Sequence, residues 1–199
     1  MRILLVGAEG TVGRAALAEL GGRHDIVKAG RSSGDLRVDL MDEKSVATMY
    51  EKLGPVDAVV ACAGHGHFGP LVDMTPTQFR KGLDDKLMGQ INLVLLGIRH
   101  LRDGGSFTLT SGVLDRDPVR KGAAGSAVNG ALGAFVKAAA IEMPRSLRIN
   151  AVSPGLLQDS VKKYDGIFPG HEPVSSARVG LAYAKSVEGA LTGQVFIVE

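Results

Sequence analysis

Three glycines at positions 7, 10 and 13 have the spacing of a loop that could bind a phosphate. They separate an apolar run, residues 3–6, from a pattern of small and apolar residues typical of a helix. Glycine permits a tight turn and a close backbone approach, and the N–H groups at a helix start attract anionic oxygens. The spacing is G-x-x-G-x-x-G rather than G-x-G-x-x-G, so an ordinary strand-to-helix turn remains an alternative. The strand before it and the helix after it favour a loop for the pyrophosphate of a nucleotide.

Two further segments follow predicted strands and carry groups suited to the rest of a nucleotide. Arg31, Ser32 and Ser33 follow the second strand, without an acid that would bind a ribose 2′-hydroxyl and repel a 2′-phosphate. A guanidinium and hydroxyls fit a phosphate by charge and geometry, although a solvated turn has the same composition. Asp39 and Leu40 follow the third strand, where they could contact an adenine edge.

The ends of the fourth and fifth strands supply small residues and hydroxyls. Residues 61–64, ACAG, are small enough for a flat ring to lie against the backbone. Residues 110–112, TSG, place two hydroxyls at the mouth of the same crevice. Cys62 is the only cysteine, which excludes an internal disulfide and a cysteine-based metal cluster, and we expect no metal site.

These residues are positioned by strand and helix patterns that alternate along the chain. The sequence predicts strands at 2–6, 25–29, 36–38, 56–61, 105–110, 147–152 and 194–198. It predicts helices at 11–21, 43–53, 76–102 with a break near 84–86, 122–143 and 177–190. Such alternation predicts a parallel sheet covered by helices on both faces. Residues 154–176 are irregular and too long for a plain connection, so we expect them to form a lid.

Composition and charge are typical of one globular domain over residues 1–199. Hydrophobic residues make up 45% and charged residues 22% of the chain. The net charge of +2, with scattered lysines and arginines, gives no reason to expect nucleic acid as a partner. Residues 1–20 do not resemble a signal peptide, and we expect no apolar run long enough to span a bilayer. These features favour a cytoplasmic protein with no membrane partner.

The sequence closely resembles the short-chain dehydrogenase/reductase family over essentially its whole length. The resembling segments are GAEGTVG at 7–13, VDL at 38–40, ACAG at 61–64, FTLTSG at 107–112, ALGAFVKAAAIEM at 131–143 and RINAVSPG at 148–155. The resemblance implies a Rossmann-type α/β fold with a doubly wound, seven-stranded parallel sheet in three α/β/α layers. It also implies an NAD(P) cofactor, and Arg31 in that setting favours NADP(H) over NAD(H).

The family's cofactor contacts map onto residues from several segments of this chain. Pro154 and Gly155 would lie beside the nicotinamide. The other contacts that the resemblance implies are Gly7, Glu9, Gly10, Thr11, Val12, Gly13, Arg31, Ser32, Ser33, Asp39, Leu40, Ala63, Gly64 and Lys86.

The catalytic positions match the family less well. The resemblance implies a Tyr-x-x-x-Lys pair on the helix after the fifth strand, in which the tyrosine passes the proton and the lysine lowers its pKa. Those positions fall on Gly125 and Asn129, whereas the family's serine falls on Ser111 and its asparagine on Lys86. We therefore expect a non-standard catalytic site of Ser111, Lys86 and Asn129. Ser111 would donate to a substrate carbonyl, and Asn129 would bind the cofactor ribose or join the local network.

Several groups could supply the proton in place of the tyrosine. Lys86 is the strongest candidate, because a desolvated ammonium near a cofactor can have a lowered pKa and release a proton. It could instead simply pair with Asp84 or Asp85. The further candidates are His65, His67 and Tyr164.

The resemblance leaves two functions open and predicts an oligomer. One function is an NADP(H)-dependent oxidoreductase acting on a small carbonyl or alcohol. The other is an NADP(H)-binding sensor or scaffold without hydride transfer. Helix 122–143 is rich in alanine and glycine. In the resembling family this helix and the one before it form a dimer interface, so we expect a homodimer or homotetramer.

Overall fold

A seven-stranded, all-parallel sheet lies between two layers of helices in the computed structural model, which describes residues 1–199. The strands, in the spatial order β3-β2-β1-β4-β5-β6-β7, are β1 (Arg2–Val6), β2 (Asp25–Gly30), β3 (Leu36–Arg37), β4 (Val56–Ala61), β5 (Leu101–Thr110), β6 (Arg148–Pro154) and β7 (Val195–Val198). The helices are α1 (Thr11–Leu20), α2 (Glu43–Leu53), α3 (Pro76–Gly82), α4 (Gly89–Gly97), α5 (Ala123–Glu142) and α6 (Ser176–Glu188). The predicted doubly wound Rossmann-type fold is confirmed.

The strand order reverses between β1 and β4, and this reversal creates the crevice that holds the site. The chain runs outward from β1 to β3, returns to β4 beside β1, and then proceeds to β7. Val6 and Ala61 are paired at the carboxyl ends of β1 and β4. The loops that follow these two strands therefore leave the sheet side by side, where open α/β sheets bind their ligands.

Two hydrophobic cores cover the two faces of the sheet. One core contains Val46 and Tyr50 of α2, Leu93 of α4 and Leu132 of α5. The other contains the buried residues of α1 and α6, including the fully buried Tyr183. The sheet is thus enclosed on both faces, as the near-continuous apolar composition of β1 and β4 requires.

The region predicted as one helix over 76–102 is divided into several elements. Helix α3 is followed by a π-helical turn, Leu83–Met88, and then by α4 and a short 3-10 turn, Ile98–His100. The expected break near 84–86 is confirmed, but the predicted helix end at 102 is wrong. Strand β5 already begins at Leu101, because an irregularity in its pairing with β4 lets Leu101 lie opposite Val56.

Helix α5 is the one segment of the chain long and apolar enough to be compared with a membrane span. By length and composition alone this helix qualifies, since its most apolar window has a mean hydropathy of 1.3. About a third of that window, 33%, is buried inside the protein. Val128, Leu132 and Val136 form the buried side and pack in the core under the sheet, which is the behaviour of a core helix.

The predicted lid, residues 154–176, contains two short 3-10 turns, Gln158–Ser160 and Lys162–Tyr164. Its ends are drawn together by a bridge between Leu157 and Val174, both buried. Between them, the ring of Tyr164 lies 5.8 Å from that of Phe68 and 5.7 Å from that of Phe168. The segment therefore packs against the loop that follows β4.

Candidate active site

An outer cavity of about 390 Å³ lies over the carboxyl ends of β1 and β2. It is lined by nine of the residues that the sequence predicts as cofactor contacts: Gly7, Glu9, Gly10, Arg31, Ser32, Ser33, Leu40, Ala63 and Gly64. The reversal of strand order brings these residues together from four separate segments of the chain.

The glycine loop is shaped by backbone contacts that leave no room for side chains. Gly7 has φ +82°, and a Cβ there would lie 2.9 Å from the backbone nitrogen of Ala63. A Cβ on Gly13 would overlap the carbonyl oxygen of Gly7. Helix α1 begins after Gly10 without a side-chain cap. Its first N–H groups are therefore available to an anion in the outer cavity.

Arg31 lies at the rim of the outer cavity between two carboxylates. Its guanidinium is 3.5 Å from Asp39 and 3.9 Å from Asp85, and its side chain is 63% exposed. Asp39 itself does not line the cavity, and its carboxylate also accepts the backbone N–H of Met41. A cation with such loosely held partners can turn to an incoming phosphate.

An inner cavity of about 360 Å³ adjoins the outer one and shares Cys62, Ala63, Gly64 and His65 with it. The predicted residues that line it are Val12, Ala63, Gly64, Lys86, Ser111, Asn129 and Pro154. The predicted contacts that line neither cavity are Thr11, Gly13, Asp39 and Gly155. All three predicted catalytic residues thus meet in one cavity.

Lys86 projects from the π-helical turn into the wall of the inner cavity. Its ammonium donates to the backbone carbonyl of Ser111 at 2.8 Å and to Oδ1 of Asn129 at 2.7 Å. Removal from water lowers the pKa of Lys86 to about 8, while the negative charge of Asp115 opposes this shift. It forms no ion pair with Asp84 or Asp85, so the structure does not support that alternative. An ammonium has three N–H donors, and one remains for a ligand.

Gly64 determines where Lys86 can lie. Gly64 has φ +111°, and a Cβ there would lie 2.7 Å from Cα of Lys86. The loop after β4 therefore packs directly on the backbone of the π-helical turn. This contact requires glycine for its conformation and for its size.

Asn129 and Ser111 form the wall opposite the loop after β4. Asn129 donates its side-chain N–H to the carbonyl of Gly112 at 3.1 Å, while its Oδ1 receives the Lys86 ammonium. The hydroxyl of Ser111 donates to the backbone carbonyl of Asn129 at 3.0 Å, and Ser111 is only 2% exposed. Gly125, one turn earlier on α5, adds no side chain to the cavity. Asn129 therefore holds the local network together.

The other residues considered as proton donors differ in whether they line the inner cavity. His65 lines both cavities but is exposed, and its ring is 3.4 Å from Asp85. His67 does not line the inner cavity, whereas Tyr164 does. Burial raises the pKa of Cys62 to about 12, so this residue is a neutral thiol between the two cavities.

Two acidic residues lie at the site besides the predicted ones: the sequence indicated Asp85 only as a possible partner of Lys86, and Asp115 was not predicted. Asp85 accepts the backbone N–H of His65 at 3.1 Å and faces Arg31. Asp115 lies 3.3 Å from the hydroxyl of Ser111 and pairs with Arg116. The position of Asp115, four residues after Ser111 at the end of a strand, was the one signal that could have indicated it.

Comparison with known proteins gives consistent matches. Residues 11–181 match the family profile described as enoyl-(acyl carrier protein) reductase. The versicolorin reductase stcU of Emericella nidulans is 30% identical over 140 residues, which are 67% of this chain and 53% of that protein. The chain thus spans about half the length of this curated relative.

Solved structures match over the whole chain. The protein lin1944 of Listeria innocua superposes with a TM-score of 0.99 at 48% identity, covering 100% of both chains. A small-chain dehydrogenase solved in complex with NADPH superposes with a TM-score of 0.88 at 28% identity, covering 100% of this chain and 96% of that one.

Proposed function

Because this chain belongs to the short-chain dehydrogenase/reductase family, we propose that it is an NADP(H)-dependent oxidoreductase acting on a small carbonyl or alcohol. Two properties of its relatives support this. The dehydrogenase that is 28% identical binds NADPH, and the relative of Emericella nidulans is named as a reductase. When bound, the cofactor would supply or accept the hydride. The residues of the chain bind the cofactor and move the proton.

The residues of the outer cavity fit a dinucleotide with a 2′-phosphate. The backbone of Gly7 and Gly10 and the uncapped start of α1 form a cradle for the pyrophosphate. Arg31, with Ser32 and Ser33 beside it, offers a guanidinium and two hydroxyls to the 2′-phosphate. This set favours NADP(H) over NAD(H), since Arg31 and two hydroxyls follow β2 where an acid would bind a free ribose 2′-hydroxyl.

The hydrogen bond between Lys86 and Asn129 is the main observation that supports our proposal for proton transfer. In the family pattern a lysine on the helix after β5 and an asparagine on the preceding helix occupy these positions. Here the two residue types are exchanged, and their side chains are hydrogen-bonded at 2.7 Å. We propose that Lys86, which stands at the position of the family's asparagine, takes the role of the family's lysine. It would also transfer the proton that the family's tyrosine transfers, because the position of that tyrosine falls on Gly125.

Lys86 would work in both directions of the reaction. In reduction its ammonium donates a proton to the oxygen that develops negative charge, and in oxidation the neutral amine accepts the proton of an alcohol. A pKa of about 8 makes both forms accessible near neutral pH. Ser111 lies in the same wall, where its hydroxyl would donate to the substrate oxygen after turning away from the carbonyl of Asn129.

A second candidate function is an NADP(H)-binding sensor or scaffold without hydride transfer. The observation in its favour is that Gly125 brings no hydroxyl to the cavity, while the hydroxyl of Ser111 is engaged with α5. Only the Lys86 ammonium then remains as a donor on that wall.

One experiment separates these functions. NADPH is titrated into the protein while nicotinamide fluorescence is followed, and NADPH oxidation is then measured over a panel of small aldehydes, ketones and imines. Binding with oxidation supports the oxidoreductase. Binding without turnover on any member supports the sensor. Absence of NADPH binding would overturn both.

A further inference from the structure

Behind Ser111 lies a charged cluster that the proposed mechanism does not use. The carboxylate of Asp115 lies 3.3 Å from the hydroxyls of both Ser111 and Ser153, and 2.8 Å from the guanidinium of Arg116. Arg116 also donates to the hydroxyl of Ser153 at 2.7 Å and to Glu199 at 2.8 Å. The cluster therefore connects the loop after β5 with the ends of β6 and β7.

The cluster contacts two segments of the chain that contribute to the inner cavity. Ser111 supplies the carbonyl that receives the Lys86 ammonium, and Ser153 directly precedes Pro154, which lines the same cavity. The side chain of Asp115 is 15% exposed, and that of Arg116 is 25% exposed. Charges so enclosed are weakly screened by solvent and act on their neighbours.

We propose that Asp115 is a positioning residue, which orients Ser111 and provides the counter-charge for Lys86, and that Arg116 limits this counter-charge. This inference rests on the proposed role of Lys86 in proton transfer. The carboxylate stabilises the ammonium form of Lys86, and the guanidinium partly neutralises the carboxylate. The balance of the two charges sets the pH at which Lys86 can release its proton.

The other charged groups around Lys86 are already balanced or exposed. On its own turn, Asp84 is exposed, and Asp85 faces Arg31 and His65. From the lid, Lys163 lines the cavity with an exposed side chain next to Tyr164. From the loop after β4, His65 is exposed and bound to Asp85. Asp115, which is paired with Arg116, is thus the remaining enclosed carboxylate whose charge acts on Lys86.

The test measures the titration of Lys86 directly. The protein is pulsed with acetic anhydride from about pH 6 to 10, and acetylation of Lys86 is quantified by peptide mass spectrometry, because only the neutral amine reacts. The wild-type midpoint is expected at about 8. Asp115→Asn is expected to lower the midpoint by about half a unit or more, and Arg116→Gln to raise it. Asp117→Asn, an exposed carboxylate on the same loop, is the control and is expected to leave it unchanged.

Opposite shifts of the Lys86 midpoint in the two variants would support the proposal. Midpoints equal to that of the wild type in both variants would overturn it. If Asp115→Asn does not fold, the upward shift in Arg116→Gln decides the question alone. Carbonyl reduction is measured in parallel. Shifted midpoints without any NADPH oxidation would refute the proposed function and leave the role of Asp115 in place. NADPH oxidation with unshifted midpoints would support the proposed function and refute the role of Asp115.

Discussion

The ammonium of Lys86 lies 2.7 Å from the side-chain oxygen of Asn129, and this contact joins the π-helical turn to helix α5. A second hydrogen bond ties the same ammonium to the carbonyl of Ser111 at the end of β5. Three elements that are distant in sequence are thus held together by one amine. Removal of that amine from water lowers its pKa to about 8, which leaves the site with a group that titrates near neutral pH.

This buried amine makes stability depend on pH. The folded-state pKa of Lys86 lies below its ordinary value of 10.5, so between about pH 8 and 10.5 the unfolded chain binds more protons than the folded one. The wild type is therefore expected to gain about 1–2 kcal/mol of stability relative to Lys86→Met between pH 7 and 9.5. Urea unfolding of both proteins at the two pH values measures this. The exposed Lys52→Met is the control and should gain as much stability as the wild type, because it keeps Lys86. A gain in Lys86→Met equal to that of the wild type would contradict the burial of Lys86.

Gly64→Ala is expected to displace Lys86. The added Cβ would lie 2.7 Å from Cα of Lys86 and would force an alanine to φ +111°, at an expected cost of about 1–3 kcal/mol in unfolding free energy together with most of the activity. Gly104→Ala is the matched control, because Gly104 has φ +74° with no atom within 4 Å of its added Cβ. It should show backbone strain alone and keep the activity. Equal losses of activity in both variants would show that the contact with Lys86 is unimportant.

The fold could be read almost completely from the sequence. Short apolar strands alternating with amphipathic helices predict a parallel sheet by periodicity alone, and every predicted strand is present. The prediction of a helix over 76–102 was wrong at its end. Strand β5 starts at Leu101 because of the pairing irregularity between β4 and β5, and this irregularity depends on the neighbouring strand. Such a tertiary effect leaves no local pattern.

The site could be predicted where a residue acts through its backbone or its position in a motif. The glycines of the first loop, Ser111 and Lys86 are of that kind. The partners of Lys86 and the contact of Ser153 with Asp115 could not be predicted, because hydrogen bonds between residues 25 or more positions apart depend on side-chain directions. For the same reason the sequence left open whether Lys86 pairs with its neighbouring acids.

Arg31→Gln tests the choice of cofactor. Loss of the guanidinium removes its contacts with a 2′-phosphate, so the dissociation constant of NADPH should rise about tenfold or more while that of NADH stays unchanged. Arg37→Gln removes an equal charge on neighbouring β3, where the side chain binds the carbonyl of Gly34. It should change neither constant by more than about twofold. Fluorescence titrations with both nucleotides give these values, and parallel losses for NADPH and NADH would contradict a 2′-phosphate site.

Helix α5 presents a face suited to a second copy of the chain. Ala127, Gly130, Ala134 and Ala138 are exposed at helical spacing, and Ile141 beyond them is 87% exposed. We propose that this face forms the interface of a homodimer or homotetramer, and we expect Ala134→Glu to dissociate it. Light scattering coupled to gel filtration at micromolar concentration measures the mass, with Ala18→Glu on α1 as the control. A wild-type monomer would contradict the proposal.

The pH dependence of NADPH-driven carbonyl reduction by the wild type and Lys86→Met tests the central claim most directly. With Lys86 as proton donor, kcat/KM of the wild type falls as pH rises through about 8, because the ammonium is lost. Lys86→Met should reduce kcat/KM by about 10²- to 10⁴-fold and abolish this decline. A variant that retains the wild-type rate and the same decline above pH 8 would contradict the account.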